Sequence, residues 1–154
     1  MKNSLLKLIF EMIGTIFLTL TFNSTQNILD RNVNFTGSRV IDENFSRNQT
    51  AMLLALWVLI IFGWKISGSH YNPAISLAFM LRKDVGNFPR PLGIAYIIIQ
   101  FLGGFLGALL SWFLDTSPSA AGLVTVNPKL NEYVFYAMLT ESIGSFLVVF
   151  FYLT

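Results

Sequence analysis

The sequence has no cysteine and one histidine among 154 residues. Disulfides and thiolate metal sites are therefore excluded, and nothing marks a redox compartment. Charge is scarce as well: Asp, Glu, Lys and Arg make up 12% of the chain, about half the share in a soluble domain. The formal net charge of +2 is spread thinly, which excludes the basic stripe of a nucleic-acid-binding protein and predicts no nucleic-acid partner.

The chain is instead apolar, with 54% hydrophobic residues and a mean hydropathy of +0.62. Four runs, roughly 5–22, 51–66, 92–114 and 133–154, approach the length of about 20 residues that carries a helix across the hydrocarbon core. They predict an all-α, multi-pass integral membrane protein with four transmembrane helices, in contact with lipid. Lys2 ahead of the first run and Lys7 near its start also fit a signal peptide. Glu11 inside the run, and the lack of a small-x-small cleavage site after Phe22, favour a retained span.

Residues 23–50 form an outer loop in this reading, and residues 115–132 a second one. The first contains Asn-x-Ser/Thr sequons at Asn23, Asn34, Asn44 and Asn48. They arise either by chance in an Asn-rich loop or as glycosylation acceptors facing the outside. The second reading makes the N-terminus cytoplasmic. Lys2, Lys7, Lys65, Arg82, Lys83 and Arg90 then lie inside, six of the ten basic residues, as the positive-inside tendency asks. Three of the remaining four stand in the sequon loop, which weakens the tally.

Between the second and third runs the chain reads SGSHYNPAIS. Asn72 is a good N-cap and Pro73 suits the first helical position. The following PAISLAFML has nine residues, or about 14 Å of helix, half of a bilayer core. Residues 67–82 therefore predict a re-entrant loop and half-helix. Irregular backbone at that depth must be buried in protein or line a watery cavity. Ser67, Gly68, Ser69, His70 and Tyr71 would be that backbone, with Gly68 allowing close approach and the amide of Asn72 free to donate. The alternative is an Asn-Pro turn before a surface-lying helix, for which PAISLAFML has too little polar face. His70 has no Cys or acid at ligand spacing and reads as a hydrogen-bonded structural residue, so no metal or cofactor is expected.

Residues 11–18, EMIGTIFL, and 141–148, ESIGSFLV, share Glu, Ile and Gly at the same spacing. The match arises either by coincidence between two apolar helices or from a repeat, which the rarity of an acid in either favours. Three spans apart, the copies run in opposite directions, the mark of an inverted repeat. Glu11 and Glu141 fit either a proton relay or a brace that accepts N–H groups from an irregular loop; symmetric placement favours the brace. Gly103 and Gly107, with Gly104 and Ala108 at the same spacing, predict close helix packing.

Glu11-x-x-Gly14-Thr15, Ser67-Gly68-x-His70-x-Asn72-Pro73-Ala74, Gln100-x-x-Gly103 and Glu141-x-x-Gly144 together resemble the first half of an aquaporin, of the major intrinsic protein family of water and glycerol channels. The resemblance implies a fold of six spans and two half-helices whose Asn-Pro-Ala motifs meet at mid-membrane, with one pore per subunit of a tetramer. By that likeness Asn72, Pro73 and Ala74 form the central motif, with Asn72 donating to permeating water. His70 and the backbone of 67–71 line the inner pore, Glu11, Gln100 and Glu141 buttress the loops, and Met52 stands at the outer constriction. Methionine there is flexible and apolar where water-selective members often carry an aromatic, so strict water selectivity is not expected.

The sequence departs from the family pattern in having no second Asn-Pro-Ala motif, no arginine beyond it and no fifth or sixth span. Asn127-Pro128-Lys129 is not that motif, since it precedes the fourth run and lacks the alanine. The chain is read as truncated within a second repeat, with four spans and one half-helix. A passive channel, or a fragment of one, is expected, for water and small uncharged solutes such as glycerol, in the plasma membrane or an intracellular one. It would work as a homo-oligomer or with a partner chain supplying the second half. The alternatives are a non-conducting structural or regulatory subunit and a proton-coupled transporter using Glu11 and Glu141. No nucleophile–base pair points to an enzyme.

Overall fold

The computed structural model describes residues 2–36, 40–82, 88–114 and 134–153; the side chains of 2–3, 26–36, 40–48, 134 and 137 lie outside that description. Five helices follow one another: α1 (Lys2–Thr36), α2 (Val40–Gly63), α3 (Pro73–Leu81), α4 (Arg90–Leu114) and α5 (Val134–Leu153). α1 packs most extensively on α4 and α2, and α3 lies against α4 and α5.

α1 and α2 correct the expected outer loop at 23–50. α1 continues to Thr36 and α2 already begins at Val40. The stretch has no proline, and its one glycine, Gly37, falls between the two helices. Asn, Asp, Ser and Thr are weaker helix formers than Ala or Leu by a few tenths of a kcal/mol each, about 0.7 at most, and that does not stop a helix already under way. Asn23 is a buried helical residue, which does not suit the exposed acceptor its sequon requires. The side chains of Asn34, Asn44 and Asn48 lie outside the described residues, as do the loop at 115–132 and Asn127-Pro128-Lys129.

Ser4–Thr25 and Arg90–Leu114 are long and apolar enough to cross a bilayer, while Gln49–Gly63 and Met138–Leu153 are shorter. The second predicted span is cut short at Gly63, where the chain leaves the helix through a turn, the N–H groups of Ile66 and Ser67 both donating to the Gly63 carbonyl.

The interior is polar and the exterior apolar. Among the described residues three hydrophobic side chains are buried, Tyr71, Ile75 and Tyr96, against nine polar or charged ones. Large apolar residues such as Leu81, Phe113 and Phe151 face outward. Lipid is as apolar as leucine, so apolar burial does not hold such helices together; close contact and internal hydrogen bonds do.

Small residues provide the close contact. Tyr96, Gln100, Gly103, Gly107 and Ser111 are all buried on α4, at spacings of three or four that place them on one helical face. A Cβ at Gly103 would lie 2.9 Å from the Met12 carbonyl oxygen, and one at Gly107 would lie 2.6 Å from that of Ile16. α4 therefore touches the α1 backbone through the predicted small-residue motif. Gly107→Ala should force the helices apart and destabilise the fold by roughly 1–3 kcal/mol. Gly104→Ala, whose Cβ would meet only Thr19 Oγ1 at 3.9 Å, should be neutral or slightly stabilising. Thermal unfolding in detergent checks the pair.

Candidate functional site

The site is built around a backbone that few residues adopt willingly. Gly68, Ser69 and Tyr71 have φ of 91°, 53° and 47°, which glycine tolerates and side-chain-bearing residues resist. This conformation turns consecutive N–H groups toward one point, a concavity suited to an anion. The anion is Glu11 of α1, fully buried. Its Oε1 accepts from the His70 N–H at 3.0 Å and its Oε2 from the Tyr71 N–H at 2.7 Å. Gln100 of α4 donates from Nε2 to the same Oε2 at 2.9 Å. Of the two readings left open for Glu11, this geometry is that of the brace.

The network continues into α3. Ser76 Oγ lies 2.9 Å from Gln100 Nε2 and 3.0 Å from His70 Nδ1. The His70 ring is enclosed by Phe79, Phe88 and Tyr96, with centroids 4.6, 5.2 and 5.4 Å away, and Tyr96 donates from its hydroxyl to the Ser67 carbonyl at 2.8 Å. Among the described residues no buried side-chain nitrogen or oxygen lacks a partner, and no cluster of three His, Cys, Asp or Glu side chains forms.

Tyr71 locks the loop from the other side. A Cβ at Gly14 would lie 2.1 Å from its ring and one at Gly63 1.9 Å from its hydroxyl, so the side chain fills the gap that these two glycines leave between α1 and α2. Its hydroxyl donates to the Leu59 carbonyl at 3.0 Å.

At the end of the loop Asn72 caps α3 with φ −146° and ψ 124°, and its Oδ1 accepts from the Ala74 N–H at 2.8 Å. Pro73 opens the helix without needing a donor. With Oδ1 engaged, the side-chain NH2 is what Asn72 presents outward. Asn72 lines a cavity of about 350 Å³ together with Met52, His70, Tyr71, Ile75 and residues of α1 and α5.

The structure thus brings Met52, His70, Tyr71 and Asn72 to one cavity. Ser67, Gly68 and Ser69 are not on its wall: Ser67 and Ser69 turn their hydroxyls inward, to the Ser69 N–H and the Ile60 carbonyl respectively. Glu141 lies exposed on α5, with no loop against it among the described residues, and a Cβ at Gly144 would meet open space. Sequence reasoning missed Ser76, Tyr96 and Tyr152. Tyr96 was within reach, since it stands four residues before Gln100 on the same α4 face. Tyr152, which donates from its hydroxyl to the Ser69 carbonyl, gave no such signal.

The family model described as "Major intrinsic protein" matches residues 1–154. The chain is 37% identical to the probable aquaporin AqpM of Archaeoglobus fulgidus over 102 residues, covering 64% of this chain and 40% of that protein. It is 30% identical to the glycerol uptake facilitator protein of Bacillus subtilis over 113 residues, 60% and 40% of the two chains. It is 32% identical to nodulin-26 of Glycine max over 144 residues, 87% and 46%. The chain therefore spans less than half the length of these relatives. No solved structure matches.

Glu11→Gln should leave at least one buried N–H unpaired, because an amide offers one acceptor oxygen where the carboxylate offers two. Thermal unfolding should show a loss of about 1–3 kcal/mol, while Glu141→Gln should stay within about 0.5 kcal/mol of the wild type.

Proposed function

The chain belongs to the major intrinsic protein family over its whole length, and from that premise we propose that it forms a passive transmembrane channel for water and small uncharged solutes such as glycerol. The observation that carries the reading is the placement of Asn72. A capped, proline-started half-helix holds one amide with its oxygen engaged and its NH2 free, on the wall of a cavity. A neutral solute that accepts a hydrogen bond is matched by that donor. The names of the relatives, an aquaporin and a glycerol uptake facilitator, support conduction rather than catalysis.

In this reading Met52, His70 and Tyr71 complete the path beside Asn72, and the N-terminus is cytoplasmic. Met52 adds a flexible apolar wall, which favours tolerance of glycerol over strict selection of water. The reading also includes a second re-entrant segment. Glu141 and Gly144 repeat the spacing of Glu11 and Gly14 but stand exposed and open. A loop like that of Ser67–Asn72, from another chain or from further along the same protein, would find there the carboxylate and the gap that the first loop uses. Assembly as a homotetramer belongs to the same proposal.

Osmotic shrinkage of proteoliposomes tests the channel. Water and glycerol permeability several-fold above empty vesicles is expected, with no dependence on a proton gradient. Folded protein that conducts neither would overturn the reading. Asn72→Ala removes both the donor and the cap; it should lower permeability and cost about 1 kcal/mol of stability.

A further inference from the structure

We propose that Tyr152 is a specificity-determining residue of this cavity, setting its width from a position fixed by its hydroxyl on the Ser69 carbonyl. The proposal rests on the channel reading above and adds to it a residue from the second repeat.

Tyr152 lines the cavity together with Val148, one turn earlier and therefore on the same face of α5. Its hydroxyl donates to the Ser69 carbonyl. Two carbonyls of the irregular loop are thus taken by tyrosine hydroxyls, and the two cases differ. Tyr96, on Ser67, is fully buried and stands away from the cavity. Tyr152, on Ser69, is only partly buried and forms part of the wall.

The position of Tyr152 is held from both sides. Its ring meets that of Trp64 at a centroid distance of 6.2 Å and an interplanar angle of 55°. Arg82, the C-cap of α3, donates from Nη1 to the carbonyl of the next residue, Leu153. The end of α5 is therefore tied to both ends of the re-entrant element, through Ser69 before α3 and Arg82 after it.

The chemistry follows from which lone pairs and protons are already in use. A phenol that has given its proton to a carbonyl presents only oxygen lone pairs to the cavity. Asn72, whose Oδ1 already accepts from the Ala74 N–H, has its NH2 free to donate. A hydroxyl both donates and accepts, so a hydroxyl-bearing neutral solute answers both groups. The bulk of the phenol ring limits how large that solute can be.

Stopped-flow measurement of water and glycerol permeability in proteoliposomes, on the wild type, Tyr152→Ala and Tyr152→Phe, tests the assignment. Y152A should raise the ratio of glycerol to water permeability by about tenfold or more, the low end of what a steric difference of one group gives in a fitted site. Y152F frees the Ser69 carbonyl but keeps the ring, and should fall between the other two. A Y152A protein that elutes as a single species and keeps the wild-type ratio overturns the proposal and leaves the channel reading standing. A silent wild type overturns the channel reading for this chain; conduction gained by Y152A would then identify Tyr152 as the obstruction, and a silent Y152A would overturn the proposal as well. If Y152A does not elute as a single species, Tyr152→Val carries the same comparison.

Discussion

The structure depends on one buried carboxylate. Glu11 accepts hydrogen bonds from two consecutive backbone N–H groups and from Gln100, and without it the two buried N–H groups would be unpaired. An unsatisfied amide in such surroundings costs roughly 2–7 kcal/mol. Left-handed backbone at Ser69 and Tyr71 adds about 1–3 kcal/mol each. The loop is therefore unfavourable by itself and is defined by what surrounds it. Glu11 fixes the direction of the N–H groups, Gly14 and Gly63 fix the Tyr71 ring, and the cap on α3 follows in register.

This arrangement explains the inverted distribution of residues. Buried polar side chains outnumber buried apolar ones because the core has to receive an irregular backbone and not the flat side of a helix. The apolar residues are displaced to the surface, where lipid accepts them. The small residues on α4 serve the same end: by bringing α1 and α4 to backbone contact at Gly103 and Gly107, they bring Gln100 within reach of Glu11.

Much of this was legible in the sequence, for identifiable reasons. Asn72-Pro73 announces a helix start through cap chemistry that acts over two residues. An acidic residue in an apolar helix announces a buried partner, and Glu11 has one. Glu141 carries the same local signal but lies exposed, because the signal reports what a carboxylate can bind and not whether a ligand is present. The polar stretch at 23–50 was misread as a loop because polarity describes solvent preference, whereas helix continuation depends on backbone breakers, and there is one glycine and no proline. Tyr152 was invisible for another reason: its partner is a backbone carbonyl 83 residues away, and no residue type advertises that.

The distances along the chain between Glu11 and its ligands set an order of assembly. During synthesis the carboxylate emerges 59 residues before the first N–H that it will hold and 89 before Gln100. Until α4 arrives, the loop can be gripped by Glu11 and Tyr71 but not closed, because Ser76 and the Ser67 carbonyl still lack Gln100 and Tyr96. The hydrogen bonds that close the re-entrant segment are thus complete only with α4 in place. The polar backbone of the loop therefore depends for its shelter on a helix that the ribosome has yet to deliver when the loop itself is made.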